Sequence, residues 1–232
     1  MEDKKASVLE ERLFRTKQEI YRLGNIRFVG CSLWITDLAQ EAMPNANVHH
    51  INNCIPHNIF HPQDRQAARE TFSLPQDQKL ILFTCQKVTD KRKGMAYLLE
   101  ALKYLNEPKP HLVVVGGNTE DLLNSNLGID PSNLHFIPYV NGEREMARLY
   151  SAVDCFVTPS LQDNLPNTIA EAMSCGTPCV GFNAGGIPEM IDHKQNGYIA
   201  KYKDAEDLAN GLKWILEEAD STQLAENARQ KV

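Results

Sequence analysis

Long apolar runs are absent from this sequence. None approaches the roughly 20 residues a membrane-spanning helix needs, and the polar start Met-Glu-Asp-Lys-Lys leads into no signal-peptide core. Cys-x-x-Cys is absent too, although there are six cysteines. Several of them sit inside apolar, strand-like runs, as reduced and buried thiols of a cytoplasmic protein do. Cys175 and Cys179 enclose Gly-Thr-Pro, which reads as a helix-to-strand turn rather than a metal pair. No Gly-x-Gly-x-x-Gly follows the first long strand, which argues against a dehydrogenase. Positive charge is in deficit: 24 Lys and Arg against 30 Asp and Glu leave a formal charge of -6. That balance offers no electrostatic reason for a nucleic-acid partner. Lys87, Lys91, Arg92 and Lys93 form a local basic exception.

What is present is an ordered alternation. Residues 5–23 have helical spacing through Leu9, Leu13, Ile20 and Leu23, with Gly24 as the stop. A short strand at 26–29, a helical piece at 35–42 and a strand at 48–51 follow, too little for an independent domain. Residues 52–76, punctuated by Pro56, Pro62 and Pro75, read as an interdomain linker with one short helix. His57 and His61 lie four apart there, but the flanking prolines favour solvated linker residues over a zinc pair. From residue 77 to 232 the pattern becomes regular. Apolar runs at 80–83, 112–115, 134–137, 155–157, 179–182 and 197–200 are separated by helical periods such as Leu98-Leu99-Leu102-Leu105, Met146-Leu149-Tyr150 and Leu208-Leu212-Ile215. Continuous apolar strands alternating with amphipathic helices predict an α/β, doubly wound parallel sheet of Rossmann-like type. Such sheets bind ligands at the carboxyl ends of their strands.

The most informative stretch runs from Thr158 to Pro178. A strand ends, a polar loop follows, and a helix is expected to open with Pro166 near its first position. The backbone amides of Asn167 and Thr168, with the helix dipole behind them, would attract an anion, a phosphate above all. Asp163 lies just before this helix and Glu171 about a turn inside it. Carboxylates at such positions can accept hydrogen bonds from sugar hydroxyls. On spacing alone they read more simply as an N-terminal helix charge and a solvated helix residue.

The same stretch resembles the signature of the retaining glycosyltransferases of family 4, or group 1, type, which have the two-domain GT-B fold. In that family an acidic residue is followed, after seven others, by Glu-Ala-Met and then Gly-x-Pro. Here these are Asp163, Glu171-Ala172-Met173 and Gly176-Thr177-Pro178. The family's Gly-Gly-x-x-Glu matches Gly185-Gly186-Ile187-Pro188-Glu189, and Asn196-Gly197-Tyr198 follows in place. Its basic loop with Lys-Gly matches Lys93-Gly94, and Val113-Val-Val-Gly-Gly117 resembles its second glycine-bearing strand end. Ser32-Leu-Trp34, Ile51-Asn-Asn-Cys-Ile55 and Phe60-His-Pro62 resemble the crossing between its domains. Two departures stand out. Asp163 replaces the usual Glu, and Cys85-Gln86-Lys87 replaces a Gly-Arg, leaving Lys87 either a substitute for the Arg or a solvated loop charge.

The resemblance implies a division of labour. Glu171 would bind the donor ribose and Lys93 would neutralise the diphosphate, helped by the amides of Asn167 and Thr168. Asp163, Asn164 and Leu165 would touch the donor sugar, and Pro138, Tyr139 and Val140 would meet the base. It further implies transfer, with retention, from a UDP- or GDP-sugar to a glycan or lipid-linked acceptor, with no cofactor. No Asp-x-Asp occurs, so a metal-independent site is expected. Residues 1–51 would be the end of the acceptor domain and 77–232 the donor domain of a cytoplasmic enzyme, peripheral at the inner face of the membrane when whole. An epimerase on the same fold, or a non-catalytic nucleotide-sugar-binding module, are the rival readings.

Overall fold

A computed structural model of the chain describes residues 2–21, 26–117 and 130–232. Its contacts divide the chain into two compact units, Met1–Asn53 and Cys54–Val232.

The first unit holds α1 (Glu2–Tyr21), β1 (Arg27–Gly30), α2 (Leu33–Ala42) and β2 (Asn47–His50). The expected helix stop at Gly24 lies outside the described residues. Ser32 caps α2, its hydroxyl accepting from the Ile35 amide at 3.1 Å. β1 and β2 pair in parallel, with Phe28 opposite Val48. Among the described residues of this unit no apolar side chain is buried, and Leu9, Leu13, Phe14 and Ile20 are exposed.

The second unit opens with residues 54–76, which carry α3 (Arg65–Thr71) and bury Phe60, Ala68 and Leu74. Asp64 caps α3 through a 2.8 Å bond from the Ala67 amide. There follow β3 (Leu80–Lys87), α4 (Met95–Lys103), β4 (His111–Gly117), β5 (Leu134–Ile137), α5 (Glu143–Ala152) and β6 (Cys155–Thr158). After these come α6 (Asn167–Ser174), β7 (Cys179–Phe182), the one-turn α7 (Ile187–Met190), β8 (Gly197–Ala200), α8 (Ala205–Lys213) and α9 (Ser221–Lys231). Every apolar run expected to be a strand is one, because residues buried on both faces must be apolar at successive positions rather than alternate ones.

The sheet has six parallel strands in the order β5-β4-β3-β6-β7-β8. Its two faces sort alternate residues of each strand. Ile81, Phe83, Val114, Val157 and Val180 face the core beneath α4 and α8, with Leu98, Leu102, Leu208 and Leu212. Leu80, Leu82, Val113, Phe156 and Cys179 face the core beneath α5 and α6, with Leu149, Tyr150, Ile169 and Met173. Each such side chain, fully buried, contributes roughly 1.5–3 kcal/mol. The chain begins its sheet at β3, builds outward to β5, then returns to β6 beside β3. Strand order therefore reverses between β3 and β6. At such a point the loops above neighbouring strands diverge to opposite faces and leave a crevice.

Candidate functional site

Three loops meet above that crevice. The loop after β3 tightens into a 3₁₀ turn at Lys91–Lys93, capped by Asp90, whose carboxylate takes the Arg92 amide at 3.0 Å and its guanidinium at 2.8 Å. Gly94 then turns the chain into α4 with φ of 74°. A Cβ at that position would stand 1.8 Å from the carbonyl oxygen of Pro159, in the loop after β6. Only glycine permits both the backbone conformation and the approach. The Leu161 amide closes the contact, donating to the Arg92 carbonyl at 2.7 Å. The loop after β7 reaches the same place. Gly186 donates its amide to the Asp163 carbonyl at 3.2 Å, and a Cβ on Gly185 would lie 1.8 Å from that oxygen.

Asp163 is thus the meeting point, and its carboxylate receives the Lys93 ammonium at 2.7 Å. The two side chains are 19% and 36% exposed, so the pair adds on the order of 1 kcal/mol at most to stability. That is too little to be its purpose; what the contact sets is the position of the ammonium. The other carboxylate oxygen takes the Asn164 amide at 3.1 Å. Leu165 is partly buried against the core beneath α6.

Helix α6 starts at Asn167, with Pro166 at the cap position rather than at the first helical residue. The extended ψ of 110° at Pro166 places it outside the helix, and its side chain makes no capping bond. Asn167 is exposed and Thr168 half-buried. One turn in, Glu171 is half-buried and accepts a hydrogen bond from the phenol of Tyr150 on α5 at 2.9 Å. Burial raises the Glu171 carboxyl above its ordinary range, the Tyr150 bond opposes that rise, and Glu143 adds to it. The simpler reading from spacing is therefore incomplete: Asp163 is also ion-paired across the crevice, and Glu171, half-buried, is bonded to Tyr150.

Lys93, Asp163, Asn164, Leu165, Asn167, Thr168 and Glu171 all lie on the two elements that flank the switch point. Lys87 is exposed at the last position of β3, in register with Gly117. Pro138, Tyr139 and Val140 follow β5, two strands from the crevice at the outer edge of the sheet, with Tyr139 exposed. Cys85 shares the rim, but burial pushes its thiol up to about 11 despite Lys93 nearby, so it stays protonated. The residue that sequence reasoning missed is Tyr150, which its spacing marks only as a core position. Its ring is fully buried, as expected, while its hydroxyl reaches a carboxylate 21 residues away.

At the amino ends of the strands a cavity of about 730 Å³ is lined by His57, Lys79, Asp154, Cys175 and Arg229, among others. Its Asp154 is already held by Arg65, Arg69 and Lys79. His57 faces the Ser174 hydroxyl at 3.4 Å and His61 the Pro62 carbonyl at 3.1 Å, so the two histidines do not converge. Among the described residues no three His, Cys, Asp or Glu side chains are grouped to hold a metal ion, and no helix is long and apolar enough to cross a membrane.

The crevice therefore offers an ammonium and a helix N-terminus for an anion, with a half-buried carboxylate beside them for hydroxyl groups. A model of the family described as glycosyl transferases group 1 matches residues 64–231. An N-acetyl-alpha-D-glucosaminyl L-malate synthase of Bacillus anthracis is 24% identical over 203 residues, 85% of this chain and 52% of the relative. The chain spans about half, or less, of the length of the curated relatives it matches. A solved sucrose-phosphate synthase from Thermosynechococcus elongatus superposes with a TM-score of 0.83 at 23% identity, covering 95% of this chain and 56% of its own. The Anabaena protein HepE, solved in complex with UDP and glucose, superposes with a TM-score of 0.79 at 21% identity, covering 94% and 61%. At these identities the likeness to solved structures is one of fold.

Proposed function

The chain belongs to the glycosyl transferases group 1 family, and from that membership we propose that residues 77–232 are the donor-binding domain of a metal-independent, retaining glycosyltransferase. The donor is a UDP- or GDP-sugar, and residues 1–51 belong to the domain that receives a glycan or lipid-linked acceptor. The observation that carries this reading is the 2.7 Å contact of Lys93 with Asp163 across the switch point, beside the N-terminus of α6. Cleavage of the anomeric bond leaves negative charge on a nucleoside diphosphate. Lys93 and the α6 dipole meet that charge as it develops, which lowers the barrier to departure. On binding, the diphosphate takes over the ammonium from Asp163, and the freed Asp163 carboxylate accepts from a donor-sugar hydroxyl. Asn164 and Leu165 border that sugar. Glu171 accepts from the ribose hydroxyls, and the base lies toward Pro138, Tyr139 and Val140. Lys87 supplies a second, weaker positive charge, since an ammonium cannot reproduce the fork of a guanidinium on phosphate. The HepE neighbour, solved with UDP, favours a nucleoside diphosphate over a dinucleotide.

The test is calorimetric titration of the chain with UDP, GDP and ADP, first in EDTA and then with Mg²⁺. Saturable binding of one diphosphate that survives EDTA is the expected result and identifies the base. Binding that appears only with Mg²⁺ would overturn metal independence, and no binding at all would overturn the donor-site assignment.

A further inference from the structure

Tyr150 stands outside every role given above, yet it is the residue that Glu171 touches. Its side chain is fully buried, with its ring edge-on to Phe156 at 5.7 Å and tilted against Phe60 at 6.4 Å. The backbone is anchored as well, because the Thr177 hydroxyl donates to the Tyr150 carbonyl at 2.7 Å. A phenol fixed on so many sides has one place to direct its proton, and that is Glu171 Oε2 at 2.9 Å. Core packing alone would be served as well by phenylalanine, which spares the cost of burying a hydroxyl.

We propose that Tyr150 is a positioning residue for the donor site: its phenol holds one oxygen of Glu171 and keeps the group an oriented carboxylate, leaving the second oxygen for the ribose hydroxyls. The proposal rests on the assignment of Glu171 to the ribose. Two hydroxyls on adjacent carbons both need an acceptor, and the remaining oxygen of an ionised carboxylate has lone pairs for both and no proton to donate. Burial works against ionisation here, and so does Glu143 on α5. The other titratable groups on packed elements are Arg144, Glu145 and Arg148 on α5, Cys155 on β6, Cys179 on β7, and Glu226, Arg229 and Lys231 on α9. Cys175 follows the last residue of α6, and burial raises its thiol and that of Cys179. Arg229 on α9 acts on Cys175. Within this set the Tyr150 phenol is the group that hydrogen-bonds the Glu171 anion.

The test follows UDP affinity of the chain from pH 5 to 8 in wild type, Tyr150→Phe, Glu171→Gln and the double variant. In wild type the affinity falls as pH drops through the Glu171 titration. Tyr150→Phe is expected to weaken UDP about tenfold at neutral pH and to move that fall upward by about one pH unit. In the Glu171→Gln background, Tyr150→Phe should add no further loss. A variant that only lowers the melting temperature, with its pH profile of binding unchanged, would overturn the proposal. Unchanged UDP affinity in Glu171→Gln would instead remove the ribose assignment on which it stands. Should Tyr150→Phe not fold, the unmodified chain answers by carbon NMR. The Tyr150 Cζ resonance is expected to move with the Glu171 titration, and its independence of pH would refute the coupling.

Discussion

Lys93 and Asp163 are 70 residues apart in sequence and in contact at 2.7 Å. On the proposed reading, the contact neutralises a charge that a diphosphate would meet. On that reading binding would exchange one partner of Lys93 for another, and the gain would be the difference between a carboxylate and a diphosphate. Lys93→Ala is expected to weaken UDP by about tenfold or more while leaving uridine nearly unchanged, as competition calorimetry would show. Equal losses for the two ligands would mean that the lysine does not read phosphate. The glycines around this pair matter by their lack of a side chain. At Gly185 even a methyl group would overlap the Asp163 carbonyl, so the position of the carboxylate depends on an atom that is absent.

At the scale of elements, one side chain makes most of the polar ties of α3 to its surroundings. Arg69 is 4% exposed and donates to the carbonyls of Ala152, Pro75, Gln76 and Gln78, and to the Asp154 carboxylate at 3.0 Å. Asp154 in turn takes the Leu80 amide at 2.8 Å, tying α3 to the entry of β3. Arg69→Ala strands these acceptors in the interior, and urea unfolding should show a loss of about 3 kcal/mol. Strands β4 and β5 carry a different device. His111 and His135 stack with ring nitrogens 2.8 Å apart. Burial depresses both, and His111 depresses His135 further, while Asp130 partly offsets the effect on His111. The unfolded chain therefore binds more protons than the folded one once pH drops below about 6.5. The stabilising effect of the pair is complete above that pH and is lost as pH falls. Urea midpoints between pH 8 and 5 should decline, and the decline should flatten in His111→Gln/His135→Gln.

For the whole molecule the asymmetry between the units is the main fact. All the buried apolar side chains among the described residues lie at Phe60 or beyond. The first unit has a two-stranded parallel sheet, an arrangement that needs further strands or covering helices to be stable. The second unit has both sheet faces covered and all of its crevice residues within itself. Residues 54–232 alone should therefore unfold with the same urea midpoint as the full chain and bind UDP with the same affinity. A drop in either would show that residues 1–53 support the donor domain.

The alternation of apolar runs with helical periods is a local property, so the strands, the helices and the doubly wound class were legible from residue 77 onward. So were the strand end at Thr158 and the helix start at Asn167, because Pro166 and the polar loop mark them locally, whereas the partners of Asp163 and Glu171 were not. Strand order is not local. It is decided by how six apolar strands and their covering helices share two cores, and only that packing sets β6 beside β3 and brings Asp163 to Lys93. For the same reason Pro138, Tyr139 and Val140 came to lie two strands away. Tyr150 shows the limit most clearly. Helical spacing marks it as buried, and the mark is right, but a buried ring's hydroxyl is aimed by its neighbours in three dimensions, and those neighbours placed it on Glu171.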